Sequence, residues 1–209
     1  MINLVFNKAG NFLLHSALVA ISKECIPHEF NSTKQSHFIT GIVVIELANY
    51  KSLRELVNYL VRIKLASPAT AVLLVISDEQ TIPTLGCSTI KISAPVSAWK
   101  KTLASLKRNG NNIDSVVREC MSFISHQRLS TKQVSVIDCL GKGMSPGEIS
   151  KHLFLSVKTV YTYISLASKK YGFSSSKKFH RYVINETEAK VSCAVKFTLR
   201  LPLNDHIIW

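Results

Sequence analysis

"SVKTVYTYISLASKK" (156–170) opens on a serine, closes on two lysines and contains no acid. Wound as an α-helix at about 100° per residue, it separates into two faces. Val160, Ile164, Ala167 and the following Tyr171 fall on one narrow stripe, which marks a core side. Lys158, Tyr161, Thr162, Ser165 and Lys169 fall on the opposite stripe. Tyr163 lies at the margin between them. Two cations, a phenol and two small hydroxyls suit a groove of DNA, where lysines and hydroxyls hydrogen-bond phosphate oxygens and side chains near a helix start reach base edges. Ser156 is positioned to cap the helix, and the partial positive charge of a helix N-terminus favours phosphate. The bland alternative is a solvated face of a basic helix with Tyr161 half exposed.

The residues upstream weigh against that alternative. "LSTKQ" (129–133) places Ser130 three residues before Gln133, and "SPGE" (145–148) places Ser145 three before Glu148 with Pro146 at the first helical position. Both are capping boxes. Val136, Ile137 and Leu140 mark the buried face of the first helix, and Ile149 and Leu153 that of the second. The brief "FLS" (154–156) leads into the third helix, a spacing expected of a helix-turn-helix. "SSSKKFHRYVI" (174–184) predicts a fourth helix with Phe179, Tyr182 and Val183 on one face. The chain's 26 Lys and Arg oppose 13 Asp and Glu. Residues 127–184 hold 10 of these cations against only Asp138 and Glu148, a net charge of +8, whereas residues 1–126 are net +5 and residues 185–209 net 0. Cationic excess concentrated in one segment points to a polyanionic partner.

On these residues, "LSTKQVSVIDCLGKGMSPGEISKHLFLSVKTVYTYISLASKKYGF" (129–173) resembles the LuxR-type helix-turn-helix of the NarL/FixJ response regulators, with "LFLSVKTV" (153–160) the most specific part. The resemblance implies a four-helix DNA-binding domain with recognition helix 157–171 in the major groove. It places Tyr161, Thr162 and Ser165 at base-contacting positions and Ser156, Lys158, Thr159 and Lys169 at backbone-contacting ones. It also implies a dimer on double-stranded DNA, paired through Phe179, Tyr182 and Val183 of the fourth helix. Many members carry Lys or Arg at the position of Tyr161 and His at that of Tyr163, so the base preference stays open.

The first half alternates strand and helix patterns. "INLVF" (2–6), "GIVVIEL" (41–47), "TAVLLVIS" (70–77) and, more weakly, "STIKI" (88–92) read as strands, the first three as buried strands of a parallel sheet. "NFLLHSALVAISK" (11–23), "SLRELVNYLVRIK" (52–64, capped by Asn49 or Ser52) and "VSAWKKTLASLK" (96–107, with Pro95 in its first turn) read as helices. The fold class expected is therefore α/β, receiver-like (flavodoxin-like, shortened), followed by an all-α helix-turn-helix domain. "NGNN" (109–112) is the clearest punctuation. The expected boundaries are 1–108 for the receiver-like domain, 109–127 for a linker that includes a short helix, 128–184 for the helix-turn-helix domain, and 185–209 for a tail.

Residues 1–108 resemble, less closely, the receiver domain that precedes this module in response regulators. A receiver's Mg²⁺ requires oxygen ligands. Asn7 and Lys8 stand where its acidic pair would be, and Glu46 where its phospho-acceptor aspartate would be. Ser77 and Lys91 fit the remaining signalling positions. The resemblance implies a degenerate phospho-site that takes no phosphate, with Glu46 expected to pair with Lys8 and Lys91. A solvated-loop position for Glu46 and a different small α/β fold are the alternatives. Regulators with such receivers resemble the enterobacterial auxiliary type of capsule and fimbrial regulators, which act as homodimers or as heterodimers with an orthodox response regulator.

Other classes find little support. Cys25, Cys87, Cys120, Cys139 and Cys193 form no C-x-x-C pair, which suggests reduced thiols of a cytoplasmic protein with no metal site. No apolar run reaches the ~20 residues of a membrane span. No nucleophile elbow, P-loop or paired carboxylate indicates an enzyme, a cofactor or a small-molecule ligand. The rival function is a protein-interaction adaptor that keeps the helix-turn-helix shell and modulates an orthodox response regulator without binding DNA. In the tail, "VKFTLRL" (195–201) alternates in a strand-like way.

Overall fold

The computed structural model describes residues 3–6, 41–77 and 81–198. Four strands form a parallel sheet in the order β1 (Asn3–Phe6), β2 (Gly41–Glu46), β3 (Ala71–Ile76), β4 (Thr89–Lys91). β2 and β3 read as unbroken apolar runs because both of their faces are covered. Ile42, Val44, Leu73, Val75 and Ile90 on one face pack against Trp99, Leu103 and Leu106 of α2 (Val96–Asn109). Val43, Ile45, Val72 and Leu74 on the other face join a second core.

α1 (Leu53–Ala66) covers that second face. Of the two caps expected, Ser52 is the one used: its hydroxyl accepts from the Glu55 N–H at 3.2 Å. Pro95 takes the N-cap of α2, one position before the first turn expected for it. The helix expected over 11–23 lies outside the described residues.

The 109–127 segment departs from a linker. It contains α3 (Ile113–Ile124), whose Ile113, Val116, Cys120 and Phe123 are fully buried. The punctuation before it is stapled to the sheet. Val72 turns its backbone toward the β4 side, but β4 pairs with β3 only from Leu74 onward. The Asn112 carboxamide fills the gap, accepting from the Val72 N–H at 2.7 Å and donating to the Val72 carbonyl at 2.9 Å. The amide thus extends the ladder where the strand falls short, satisfying groups that would otherwise be orphaned.

The helical half comprises α4 (Thr131–Gly141), α5 (Pro146–His152), α6 (Val157–Lys170) and α7 (Ser176–Thr198). Both capping boxes form: Ser130 with Gln133, and Ser145 with Glu148. α7 passes through the boundary expected at residue 184, and residues 195–198, expected as part of a strand, are helical. Glu186 gives a physical reason. It continues the inward face of Phe179, Tyr182 and Val183, and its buried carboxylate accepts from the Leu53 N–H at the start of α1 (2.8 Å) beside Arg54 Nε at 3.0 Å. The two halves therefore share one core, running from Ile45 and Leu60 through Phe123 to Tyr171 and Phe179.

Candidate nucleic-acid interface

The position of α6 follows from its inward stripe. Val160, Ile164, Ala167 and Tyr171 are all buried, as their spacing predicts, and Ser168 is buried beside them. Tyr171 ends the helix. Its hydroxyl donates to the Phe123 carbonyl at 2.8 Å and lies 2.7 Å from His126 Nδ1, while its ring packs edge-on against Phe123 and Phe179. Because that hydroxyl's proton is given to Phe123, His126 Nδ1 is the donor of the second bond. At the same helix end, the Lys170 ammonium donates to Gln133 Oε1 at 3.1 Å, tying α6 to α4. The Thr84 N–H also donates to the Tyr171 carbonyl, which brings the 81–86 loop onto the end of α6.

The outward stripe is free. Lys158, Tyr161, Thr162 and Lys169 are exposed together, with Tyr161 at 58%. Ser165 is half-buried between them. Ser156 accepts from the Thr159 N–H at 3.0 Å, and its hydroxyl lies 2.8 Å from that of Thr159. These two groups shape the helix start, and the first turn carries no acid. Thr162 donates its proton to the Lys158 carbonyl at 3.0 Å, so toward a ligand it offers only its acceptor lone pairs.

Two exposed side chains at the start of α6 extend this face beyond what the sequence singled out. Phe154, in the turn between α5 and α6, is 95% exposed at φ +53°, and Val157 is exposed four residues before Tyr161. The i, i+4 spacing of Val157 and Tyr161 was available as a signal. The left-handed backbone at Phe154 was not, since phenylalanine rarely adopts it. Gly143, at φ +81°, makes the turn before α5.

The pairing face expected on α7 is not on the surface. Phe179, Tyr182 and Val183 are 0%, 1% and 5% exposed. The rings of Phe179 and Tyr182 pack against Tyr171 and Phe173 within the chain, and Val183 belongs to the same core.

The degenerate phospho-site is dispersed. Glu46 is the half-buried last residue of β2, not a loop residue. Ser77 follows β3, and Lys91 ends β4. Glu46 stands in register with Val75, and Val75 with Ile90. Glu46 therefore projects on the α2 side of the sheet, and Lys91, one residue past Ile90, on the opposite side. Among the described residues no ion pair joins them. Asn7 and Lys8 lie outside the described residues. Among the described residues, no group of three His, Cys, Asp or Glu side chains could hold a metal, and no helix is long and apolar enough to cross a membrane.

Residues 127–183 match the family of bacterial regulatory proteins, luxR family. They form a domain of that type. No curated protein matches the chain. Solved structures similar to it include a complex of the two-component response regulator RcsB with DNA (18% identity, 83% of this chain and 81% of that chain, TM-score 0.46). RcsB from Salmonella enterica serovar Typhimurium bound to the rprA promoter is 17% identical over 84% of this chain and 82% of that chain (TM-score 0.44). Full-length FixJ from B. japonicum is 13% identical over 88% and 96% (TM-score 0.30).

Proposed function

We propose that the protein is a sequence-specific, DNA-binding transcription regulator that lays α6 in the major groove. The observation that supports this best is the outward face of α6. Lys158, Tyr161, Thr162 and Lys169 stand exposed, with no acid on the helix, on a two-helix frame fixed by paired capping boxes. Lys158 and Lys169 contact phosphates, and Ser156 and Thr159 order the helix start beside them. Tyr161, Thr162 and Ser165 read base edges.

The protein binds as a dimer, with itself or with an orthodox response regulator. The pairing surface differs from Phe179, Tyr182 and Val183, which the monomer's own core occupies. It acts without phosphorylation of its sheet-bearing half. A glutamate closes β2 where a receiver would present aspartate, and Lys91 faces away from it.

A salt-titrated binding assay with the full chain tests the proposal. Affinity falls steeply with salt, because each neutralised phosphate releases counterions. Lys158→Ala weakens binding to every duplex and lowers the salt slope by about one. Tyr161→Ala and Ser165→Ala change the ranking of duplexes. An absence of affinity at low salt refutes DNA binding in favour of an adaptor, and equal losses on every duplex for all three variants refute the assigned roles. Stoichiometric labelling by a small phosphodonor with Mg²⁺ refutes phosphorylation independence.

A further inference from the structure

Charge on the outward face of α6 does not distinguish one DNA sequence from another. Its lysines contact phosphates in the reading above, and phosphates are the same in every sequence. Arginine, asparagine and glutamine make the two-bond contacts that single out guanine or adenine, and residues 157–170 contain none of them. The hydroxyls near the helix start are already engaged. Those of Ser156 and Thr159 bond each other, and Thr162 gives its proton to the Lys158 carbonyl. Toward a ligand, Thr162 keeps only an acceptor.

Apolar surface is what this region has in excess. Of the nine large apolar side chains exposed among the described residues, four fall between 154 and 166: Phe154, Val157, Tyr161 and Leu166. Val157 and Tyr161, at 44% and 58% exposed, are one helical turn apart and about 40° apart around the axis. Phe154 stands in the turn just before them, on a left-handed backbone that phenylalanine rarely adopts. The fold buries almost none of that ring, and a backbone outlier without a packing reason points to function. In the major groove, thymine alone among the four bases presents an apolar group, its C5 methyl, and the adenine paired with it presents an N6 amino donor. An A·T pair therefore matches both the apolar edge formed by Val157 and Tyr161 and the acceptor left on Thr162.

We infer that α6 selects A·T base pairs by seating thymine methyls against Val157 and the ring of Tyr161, while Thr162 accepts from the adenine amino group. This rests on the proposed DNA binding and names the base that is read. Val157 becomes a specificity-determining residue alongside Tyr161 and Thr162.

The test incubates the full chain with a library of random-sequence duplexes and sequences those retained at low salt. The retained duplexes share thymine positions. One such duplex is then remade with deoxyuridine at each shared position in turn, which removes the C5 methyl and leaves pairing and phosphates intact. At a contacted position this weakens binding about fourfold, which corresponds to the ~0.8 kcal/mol of one buried methyl group. Val157→Ala, which puts a better helix former at an exposed site, binds the thymine duplex and at least one uracil duplex equally, with the salt dependence of the wild type. Tyr161→Phe keeps the discrimination, because the ring and not the hydroxyl meets the methyl. Retained duplexes with no shared thymine, uracil tolerated at every position, or full discrimination by both Val157→Ala and Tyr161→Ala overturns the inference while DNA binding stands. Retention of no duplex at low salt overturns DNA binding itself, and the inference with it.

Discussion

Replacing Glu186 tests the junction on which the two halves depend. Its carboxylate accepts from the Leu53 N–H at 2.8 Å and lies 3.0 Å from Arg54 Nε, with its side chain only 10% exposed and that of Arg54 30%. Glu186→Ala leaves a buried N–H without an acceptor, a loss of about 1–3 kcal/mol. It also leaves a partly buried guanidinium without its counter-charge. Removing one member of a buried pair costs about 3–5 kcal/mol in general. Because Arg54 retains some solvent, the expected loss is at the lower end, about 3 kcal/mol. Glu186→Gln keeps an acceptor for Leu53 and costs less. The two variants also separate charge from shape through pH. Burial, the largest influence, raises the Glu186 pKa, and the Leu53 N–H and Arg54 only partly offset it. A carboxyl whose folded pKa exceeds its unfolded value stabilises most below the unfolded value, and that stability is lost as pH rises through the folded one. The wild type therefore loses ground relative to Glu186→Gln as pH increases from about 4.3 through the raised folded value. Urea denaturation of both variants and the wild type across pH 4–8 measures this. A Glu186→Ala loss below about 0.5 kcal/mol, or a wild-type advantage over Glu186→Gln that grows with pH, refutes the reasoning.

Phe154 carries a left-handed backbone on a side chain that buries almost nothing. Phe154→Asn should raise stability by up to about 1 kcal/mol in urea, and a fall in DNA affinity for that variant assigns the ring to the interface. Gly141 lets α4 approach α7 closely, since a Cβ there would collide with Thr187 Oγ1. Gly141→Ala should cost about 1–3 kcal/mol, and Gly141→Ala/Thr187→Ala should recover most of it in a double-mutant cycle. Cys87, next to the Glu119 carboxylate, and the buried Cys120 both have pKa values pushed up to about 12, chiefly by burial. Because the thiolate is the reactive form, peptide mass spectrometry after iodoacetamide at pH 8 should find both slow to alkylate.

What the sequence made legible were features whose causes are local. A serine three residues before a glutamate or glutamine specifies a capping box wherever it occurs, and both boxes formed at Ser130 and Ser145. The inward stripe of α6 depends only on helical pitch, and the four strands were visible as apolar runs. Features whose partners are distant in the chain were not legible. Asn112 reads as part of a flexible break because its carboxamide finds Val72 only once β3 and β4 have paired. The inward turn of α7 past residue 184 is carried by Glu186, a residue that composition assigns to the surface. Phe179, Tyr182 and Val183 form an apolar face whichever partner covers it, and only packing reveals that the chain's own core does so, with Tyr171 and Phe173 against the two rings. Glu46 and Lys91 look like neighbours at two strand ends, yet the register puts them on opposite sides of the sheet.

The shared core also limits how this chain responds to a signal. A receiver joined to its output domain by a free linker can reorient at little energetic cost. Here the segment between the halves is α3, whose Ile113, Val116, Cys120 and Phe123 are fully buried in the core that contains Leu56 and Tyr171. Withdrawing the helical half would uncover Phe123, which packs edge-on against Tyr171, at about 1.5–3 kcal/mol. It would also break the Glu186 contacts. A domain's whole stability is only about 5–15 kcal/mol, so a swing of that kind approaches the cost of unfolding and has no measurable population. The orientation of α6 relative to the sheet is consequently set by packing. Among the described residues, a partner can act on this protein through a surface that is already exposed, such as the outward face of α6.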